Sequence, residues 1–173
     1  MIKKFVTLPG AEIRQRSDEV IAFDKSVEAV VKDLLETAEA QTDPVALGLA
    51  APQIGVFKRI FIARIRNRFK HFVNPQIVKS APKETVLMEG CFSVTDIYGN
   101  VIRPTEVEVK YQDMHGKTQQ QTFKGLAAKI VQHELDHLNG VLFVDHVHEQ
   151  KGKMFKITKT KKGKEKLTEI PLI

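Results

Sequence analysis

Apolar residues recur at helical spacing in residues 26–40, SVEAVVKDLLETAEA. They share one face of a helix and are Val27, Val30, Val31, Leu34 and Leu35. Ser26 stands just before this pattern, where its hydroxyl can accept a hydrogen bond from a backbone amide of the first turn. The pattern predicts an amphipathic helix near the N-terminus that packs on the core, with Ser26 as its cap.

Strand patterns dominate the middle of the chain. Residues 105–111, TEVEVKY, place valine or tyrosine at every second position from 107 onward, which is typical of a half-buried antiparallel strand. The turn at 113–116 leads into 117–123 and predicts a hairpin. Shorter strand-like segments lie at 56–65, 72–79, 84–93 and 141–144. Residues 96–100 end in Tyr-Gly-Asn and favour a loop.

Residues 125–140, GLAAKIVQHELDHLNG, predict a second helix that ends at Gly140. His133 and His137 are four residues apart, so both imidazoles leave the same face of the helix about one turn apart. Leu126 and Ile130 extend that face toward the N-terminus as an apolar stripe. Since strands and helices do not alternate, we expect an α+β fold in which mainly antiparallel sheets pack around this HExxH helix, with the other helix N-terminal.

Composition narrows the class of protein. The chain has 173 residues and 42% hydrophobic residues, which is typical of one globular domain. No apolar run approaches the roughly 20 residues that a membrane helix needs, and the N-terminus lacks a signal-peptide pattern. We therefore expect no membrane partner and a cytoplasmic location, or an organelle of bacterial descent if a presequence has been removed.

Positive charge is concentrated near the C-terminus. The formal net charge is +6, and residues 151–166 contain eight lysines and one glutamate. Such a run is typical of a solvated surface, and a polyanionic partner is the alternative. We predict a single catalytic domain at 1–150 followed by a lysine-rich segment at 151–173, which could contact the ribosome.

The two histidines need a third protein ligand if they form a catalytic metal site. Phe143 occupies the position at which a metzincin has its third histidine, and no second helix downstream offers a glutamate. His146 and His148 follow a predicted strand and are expected on the surface. Cys91 remains, and a thiolate with two imidazoles suits Zn²⁺ or Fe²⁺.

HExxH alone leaves two other classes of function open. A zincin-type metalloprotease would use the same two histidines with Glu134 as the catalytic base. A basic protein that binds the ribosome or RNA would depend on the lysine-rich segment instead.

Three segments together carry a resemblance to a known family. They are ALGLAAPQIG (46–55), EGCFS (89–93) and QHELDHLNG (132–140). In order and spacing they resemble the three signature motifs of peptide deformylases. The resemblance covers most of the chain, and the three motifs are far more specific together than any one of them.

The resemblance implies a role for each matched position. Cys91, His133 and His137 would bind the metal, and Glu134 would be the general acid and base. Gln53 and the backbone N–H of Phe92 would stabilise the oxyanion. Four residues would bind substrate: Leu47 and Gly48 along the peptide backbone, and Leu126 and Ile130 in the methionine pocket.

The implied activity is removal of the N-formyl group from the initiator methionine of newly made polypeptides, with release of formate. N-formylmethionyl nascent peptides would be the substrates. The implied cofactor is one divalent metal ion per chain, Fe²⁺ in the cell, which Zn²⁺, Ni²⁺ or Co²⁺ could replace.

The chain departs from the family pattern at three positions. Ala46 replaces a glycine in the first motif, while Phe92 and Thr95 replace the leucine and proline of many members. These changes affect the rim of the expected pocket rather than its chemistry. Arg103 matches the family's arginine beyond the second motif, and we expect it to pair with Glu89.

Overall fold

The computed structural model describes residues 1–159 and 165–172. Its helices and strands are α1 (Lys25–Glu39), β1 (Gly48–Ala50), β2 (Ile60–Ile65), β3 (Arg68–Ser80), β4 (Glu84–Cys91), β5 (Val94–Pro104), β6 (Glu106–Gln112), β7 (Thr118–Lys124), α2 (Gly125–Leu138), α3 (Phe143–Glu149), β8 (Met154–Lys159) and β9 (Glu165–Ile170). Two short 3-10 helices, Ala11–Arg14 and Ala51–Ile54, complete them.

The strands form two antiparallel sheets. The first has the order β1-β2-β3-β6-β7 and the second has the order β4-β5-β8-β9. The predicted hairpin is β6–β7, in which Val107 lies opposite Phe123. Its alternation is confirmed, since Val107, Val109 and Tyr111 are all buried. The α+β class with antiparallel sheets is therefore confirmed.

Three apolar clusters fill the space between these elements. Helix α2 packs on the first sheet, where Val131 and Leu138 belong to the same cluster as Phe61 and Phe72. Helix α1 covers a second cluster together with β1 and β2. Helix α3 packs against β5 in a third cluster around Val147. The side of α2 that does not pack on the first sheet faces β4.

The N-terminal helix starts one residue earlier than predicted, and Ser26 is not its cap. Helix α1 begins at Lys25, and the carboxylate of Asp24 accepts a hydrogen bond from the Ser26 amide at 2.8 Å. A carboxylate satisfies the free N–H groups of the first turn as well as a hydroxyl does. The buried face is as expected, with Val27, Val31 and Leu34 in the core.

Two further local predictions were wrong. Residues 96–100 lie within β5, where Gly99 pairs with both Glu89 of β4 and Met154 of β8. A β-carbon at Gly99 would collide with Val147 of α3, so this glycine permits close packing rather than a turn. Residues 141–144 are not a strand: α3 begins at Phe143, and the Asp145 carboxylate accepts the Leu142 amide at 2.8 Å.

The lysine-rich segment contributes secondary structure. Strand β8 pairs with β5 and β9 pairs with β8, so the described part of residues 151–173 extends the second sheet. Met154 anchors it in the third apolar cluster. Residues 160–164, between the two strands in the chain, lie outside the described residues. No helix among the described residues is long and apolar enough to cross a membrane.

Candidate metal centre

Three potential ligands from two elements meet at one point. Cys91 is the last residue of β4, and His133 and His137 lie on the face of α2 that points toward it. Their ligand atoms all lie within 4.8 Å of one another. Gly90 allows this approach, because a β-carbon there would collide with the Tyr98 ring of β5. The cluster that the sequence predicted is therefore assembled.

The chemistry of these atoms fits a divalent metal ion. Cys91 Sγ lies 3.2 Å from His137 Nε2, and His137 Nδ1 is buried with no hydrogen-bond partner among the described residues. Burial alone would raise the pKa of the Cys91 thiol, but His137 and His133 outweigh it and lower that pKa well below its usual value. A thiolate and two imidazoles form a typical three-ligand set for Zn²⁺ or Fe²⁺, with one position left open.

A chain of charged groups holds His133 from behind. His133 Nδ1 lies 2.9 Å from Glu89 Oε2, and Arg103 donates to both Glu89 oxygens at 2.6 and 2.9 Å. Arg103 also donates to Asp136 at 2.8 Å, and Asp136 lies 2.9 Å from His146 Nε2. The predicted Arg103–Glu89 pair is confirmed. His146 is half-buried rather than on the surface, because it completes this chain; His148 is exposed.

The charge on Glu89 fixes the orientation of the His133 ring. Burial raises the pKa of Glu89, but hydrogen bonds from His133 and Arg103 outweigh it and bring that pKa to about 2. An ionised Glu89 accepts the proton on Nδ1 and leaves the lone pair of Nε2 free for a metal. Carboxylates behind ligand histidines commonly have this effect.

Glu134 is buried beside the cluster. Burial raises its pKa to about 7, although both His133 and His137 oppose the shift, and its Oε2 has no hydrogen-bond partner in the described part of the chain. Gly48 lies against this carboxylate, and a β-carbon there would collide with it. A carboxylate with a pKa near neutrality can both take and return a proton.

Gln53 also points into the site, as the sequence predicted. It lies in the second 3-10 helix, is buried, and accepts the Ala50 amide on Oε1 at 2.8 Å. Its Nε2 donates to Cys91 Sγ at 3.2 Å and to Ser93 Oγ at 3.3 Å. Phe92 follows Cys91, and its ring stacks on Phe5 with 4.9 Å between ring centroids.

A cavity of about 570 Å³ opens beside these groups. The four predicted substrate-binding residues, Leu47, Gly48, Leu126 and Ile130, all line it. Leu47 and Leu126 are exposed at its rim, whereas Ile130 is buried deeper in its wall. Thr95, one of the departures from the family pattern, also lines the cavity.

Several residues around the site were missed in the sequence. Leu87 and Met88 of β4 line the cavity, as does Lys129, four residues before His133 on α2. The helical spacing of Lys129 could have revealed it, since residues i and i+4 share a face. Asp136 gave no such signal, because its partners Arg103 and His146 lie on β5 and α3.

Comparisons with known proteins agree with this geometry. Residues 2–153 match the family model described as polypeptide deformylase. A peptide deformylase of Rhizobium meliloti is 39% identical over 158 residues, 88% of this chain and 89% of that protein. One from Pseudothermotoga lettingae is 41% identical over 145 residues, 84% of this chain and 82% of that protein.

Solved structures give the same result. The peptide deformylase of Thermotoga maritima superposes with a TM-score of 0.79 at 32% identity, over 84% of this chain and 97% of that one. That of Legionella pneumophila gives 0.78 at 40% identity, over 84% and 86%. These similarities support neither the protease nor the basic binding protein. The chain therefore belongs to the peptide deformylase family, metallohydrolases that remove N-formyl groups.

Proposed function

We propose that the site removes the formyl group from the initiator methionine of newly made polypeptides and releases formate. The observation that carries this proposal is the buried Glu134 carboxylate, which faces the cavity beside three clustered ligands. Hydrolysis of a formamide requires a base for the attacking water and an acid for the departing amine. One carboxylate in this position can serve as both in turn.

Cys91, His133 and His137 would hold the metal, and we propose Fe²⁺ as the physiological ion, with Zn²⁺, Ni²⁺ and Co²⁺ as possible replacements. A divalent ion there supplies Lewis-acid chemistry, which lowers the pKa of a water and polarises a carbonyl oxygen. Glu89 would keep His133 in the tautomer that ligation requires.

Glu134 would move the proton. It takes a proton from the water that attacks the formyl carbon and gives it to the amine nitrogen as the carbon–nitrogen bond breaks. Its burial supports this role, because a carboxyl with a pKa of about 7 exchanges protons readily near neutral pH. Gly48 leaves the space that the carboxylate needs.

Gln53 Nε2 and the Phe92 backbone N–H would stabilise the oxyanion. Gln53 Nε2 already lies at the Cys91 sulfur, and its Oε1 is fixed by the Ala50 amide, so the donor is held in place before substrate arrives. Loss of one donor of this kind typically slows catalysis about 10²–10³-fold.

The cavity walls would hold the substrate. Leu47 and Gly48 lie at the rim and beside Glu134, where they could contact the peptide backbone. Leu126 and Ile130 would form one wall of the methionine pocket, with Ile130 more deeply buried.

Because its substrates would be nascent chains, the enzyme would act close to the ribosome, in the cytoplasm or in an organelle of bacterial descent. We propose that the lysines of residues 151–173 contact ribosomal RNA there. Lys156 and Lys166 are exposed on the β8–β9 hairpin. Replacing both with glutamate should weaken ribosome binding in co-sedimentation without changing the hydrolysis of short peptides. Unchanged co-sedimentation would contradict this contact.

Formate release from a formyl-methionyl peptide tests the activity. The protein is prepared anaerobically with Fe²⁺ and compared with Glu134→Gln, which keeps the shape of the side chain but cannot ionise. We expect the substitution to slow release by about 10²–10⁴-fold. Glu28→Gln on the exposed face of α1 is the control. Absence of release by the unmodified protein would refute the proposal.

A further inference from the structure

Lys129 is a buried charged group to which the proposed mechanism gives no role. It is 5% exposed, lies on α2 one turn before His133, and lines the same cavity as Leu126 and Ile130. An isolated ammonium is costly to bury. A buried ammonium in the wall of the pocket therefore needs hydrogen-bond acceptors.

Lys129 joins α2 to β4 one helical turn before His133, the first ligand on this helix. Among the described residues, the contacts between this helix and this strand include Cys91–His137 at 3.2 Å, Glu89–His133 at 2.9 Å and Lys129 Nζ–Thr85 O at 2.5 Å. These three contacts follow one another in the same order along α2 and along β4, so they form a series. The ligand cluster stands at one end of the series, and the Lys129 ammonium stands at the other.

The Lys129 ammonium has more N–H donors than it has acceptors among the described residues. It carries three N–H groups, and the carbonyl of Thr85 is its one hydrogen-bond acceptor among the described residues. Burial lowers the pKa of Lys129, an effect that the Glu89 charge opposes and the Arg103 charge reinforces. A purely apolar side chain in this pocket would displace water from the ammonium and leave its N–H groups unsatisfied, which costs binding free energy.

We propose that Lys129 determines the specificity of this pocket by favouring a first side chain that carries a hydrogen-bond acceptor. This inference rests on the proposed function, because it assumes that the substrate's first side chain enters the cavity. The methionine sulfur is a weak acceptor, whereas norleucine offers a methylene at the same position. The oxygen of methionine sulfoxide is a strong acceptor. Formyl peptides that begin with oxidised methionine are therefore a further substrate class.

The test uses three formyl peptides that differ only in their first side chain: methionine, norleucine and methionine sulfoxide. Values of kcat/KM are measured for the metal-loaded enzyme and for Lys129→Met, which replaces the ammonium with an apolar end. We expect the unmodified enzyme to hydrolyse the sulfoxide peptide at least as efficiently as the norleucine peptide. We expect Lys129→Met to lower the ratio of sulfoxide to norleucine by about tenfold or more, the effect of one hydrogen bond to a charged donor.

Controls separate this role from a structural one. Lys129→Arg keeps a donor and should retain most of the sulfoxide activity. Lys124→Met removes an exposed lysine just before the same helix and should leave the ratio unchanged. If Lys129 only ties α2 to β4, Lys129→Met lowers Tm and all three kcat/KM values together, and an unchanged ratio overturns the proposal.

Two further results can be obtained with the unmodified enzyme alone, so they do not depend on whether the variants fold. If the unmodified enzyme prefers norleucine to the sulfoxide by more than about tenfold, Lys129 does not act as a donor and the proposal is overturned. If it releases formate from none of the peptides, the proposed function fails instead. Calorimetric titration with the unformylated peptides then tests the preference of Lys129 without catalysis, and equal affinity for all three overturns it.

Discussion

Helices α1 and α2 have nearly the same length, 15 and 14 residues, yet they bury different groups. The buried face of α1 is apolar apart from Thr37. The buried face of α2 includes four polar or charged residues, Lys129, Gln132, Glu134 and His137. Both helices have an apolar stripe, so the stripe alone does not distinguish a packing helix from one that carries chemistry.

The difference lies in how the polar atoms are satisfied. The Thr37 hydroxyl donates to the Asp33 carbonyl at 2.6 Å and accepts the Lys3 amide at 3.0 Å, so it costs little to bury. On α2, Glu134 Oε2 and His137 Nδ1 are buried and have no hydrogen-bond partner within residues 1–159 and 165–172. Unsatisfied buried groups destabilise a fold. Their concentration at one point on α2 is what indicates a functional site there.

The largest effect is expected from the ligands on α2. His137→Ala should remove the metal and lower formate release by more than the roughly 10–100-fold that loss of a supporting group costs. The fold should persist, since the substitution also removes a buried unpaired nitrogen. Metal content by mass spectrometry and formate release check this, with His115→Ala in the exposed turn before β7 as control. Full metal content in His137→Ala would contradict the claim that α2, unlike α1, carries metal ligands.

A core substitution on α1 should have the opposite result. Leu34 is fully buried, so Leu34→Ala should lower the free energy of unfolding by about 2–5 kcal/mol. Activity per folded molecule should not change, because α1 contributes only packing. Urea unfolding and active-site titration measure the two quantities. A loss of kcat with unchanged stability would show that α1 takes part in catalysis.

The charged groups behind His133 should make the free energy of unfolding depend on pH in the acid range. The pKa of Glu89 is about 2 in the folded protein against 4.5 for the free group. Its contribution is present above pH 4.5 and is lost as the pH falls toward 2, by about 1.4 kcal/mol for each unit of pKa difference. Glu89→Gln should flatten this pH dependence in urea unfolding of the metal-free protein. An identical slope in both proteins would mean that Glu89 is not held ionised; Glu106→Gln on β6 is the control.

The smallest effect is expected at the start of α1. Asp24→Ala removes the carboxylate that accepts the Ser26 amide, so Tm should fall slightly, and by less than in Leu34→Ala. Asp24→Asn keeps an acceptor and should restore most of the loss. Thermal unfolding followed by circular dichroism measures both. An equal loss in both variants would assign the effect to charge rather than to capping.

Local patterns identified the elements of the fold but not all of their boundaries. The α2 helix, the β6–β7 hairpin and the buried face of α1 follow from side-chain periodicity within a few residues. Residues 96–100 were predicted as a loop because Tyr-Gly-Asn favours turns. In the fold, pairing with β4 and β8 on both sides outweighs that preference. Local propensity is weaker than two rows of strand hydrogen bonds.

The sequence by itself determined the His133–His137 pair, because residues four apart on a helix must share a face. With the resemblance it also placed Cys91, Glu134 and Gln53 in one site. Only the tertiary structure brought Lys129 to Thr85 and joined Asp136 to Arg103 and His146. These contacts link α2 to other elements of the fold, and two of them join residues more than 30 positions apart in the chain. Their formation depends on how the two sheets and α2 pack together, and no local pattern of residues encodes that arrangement.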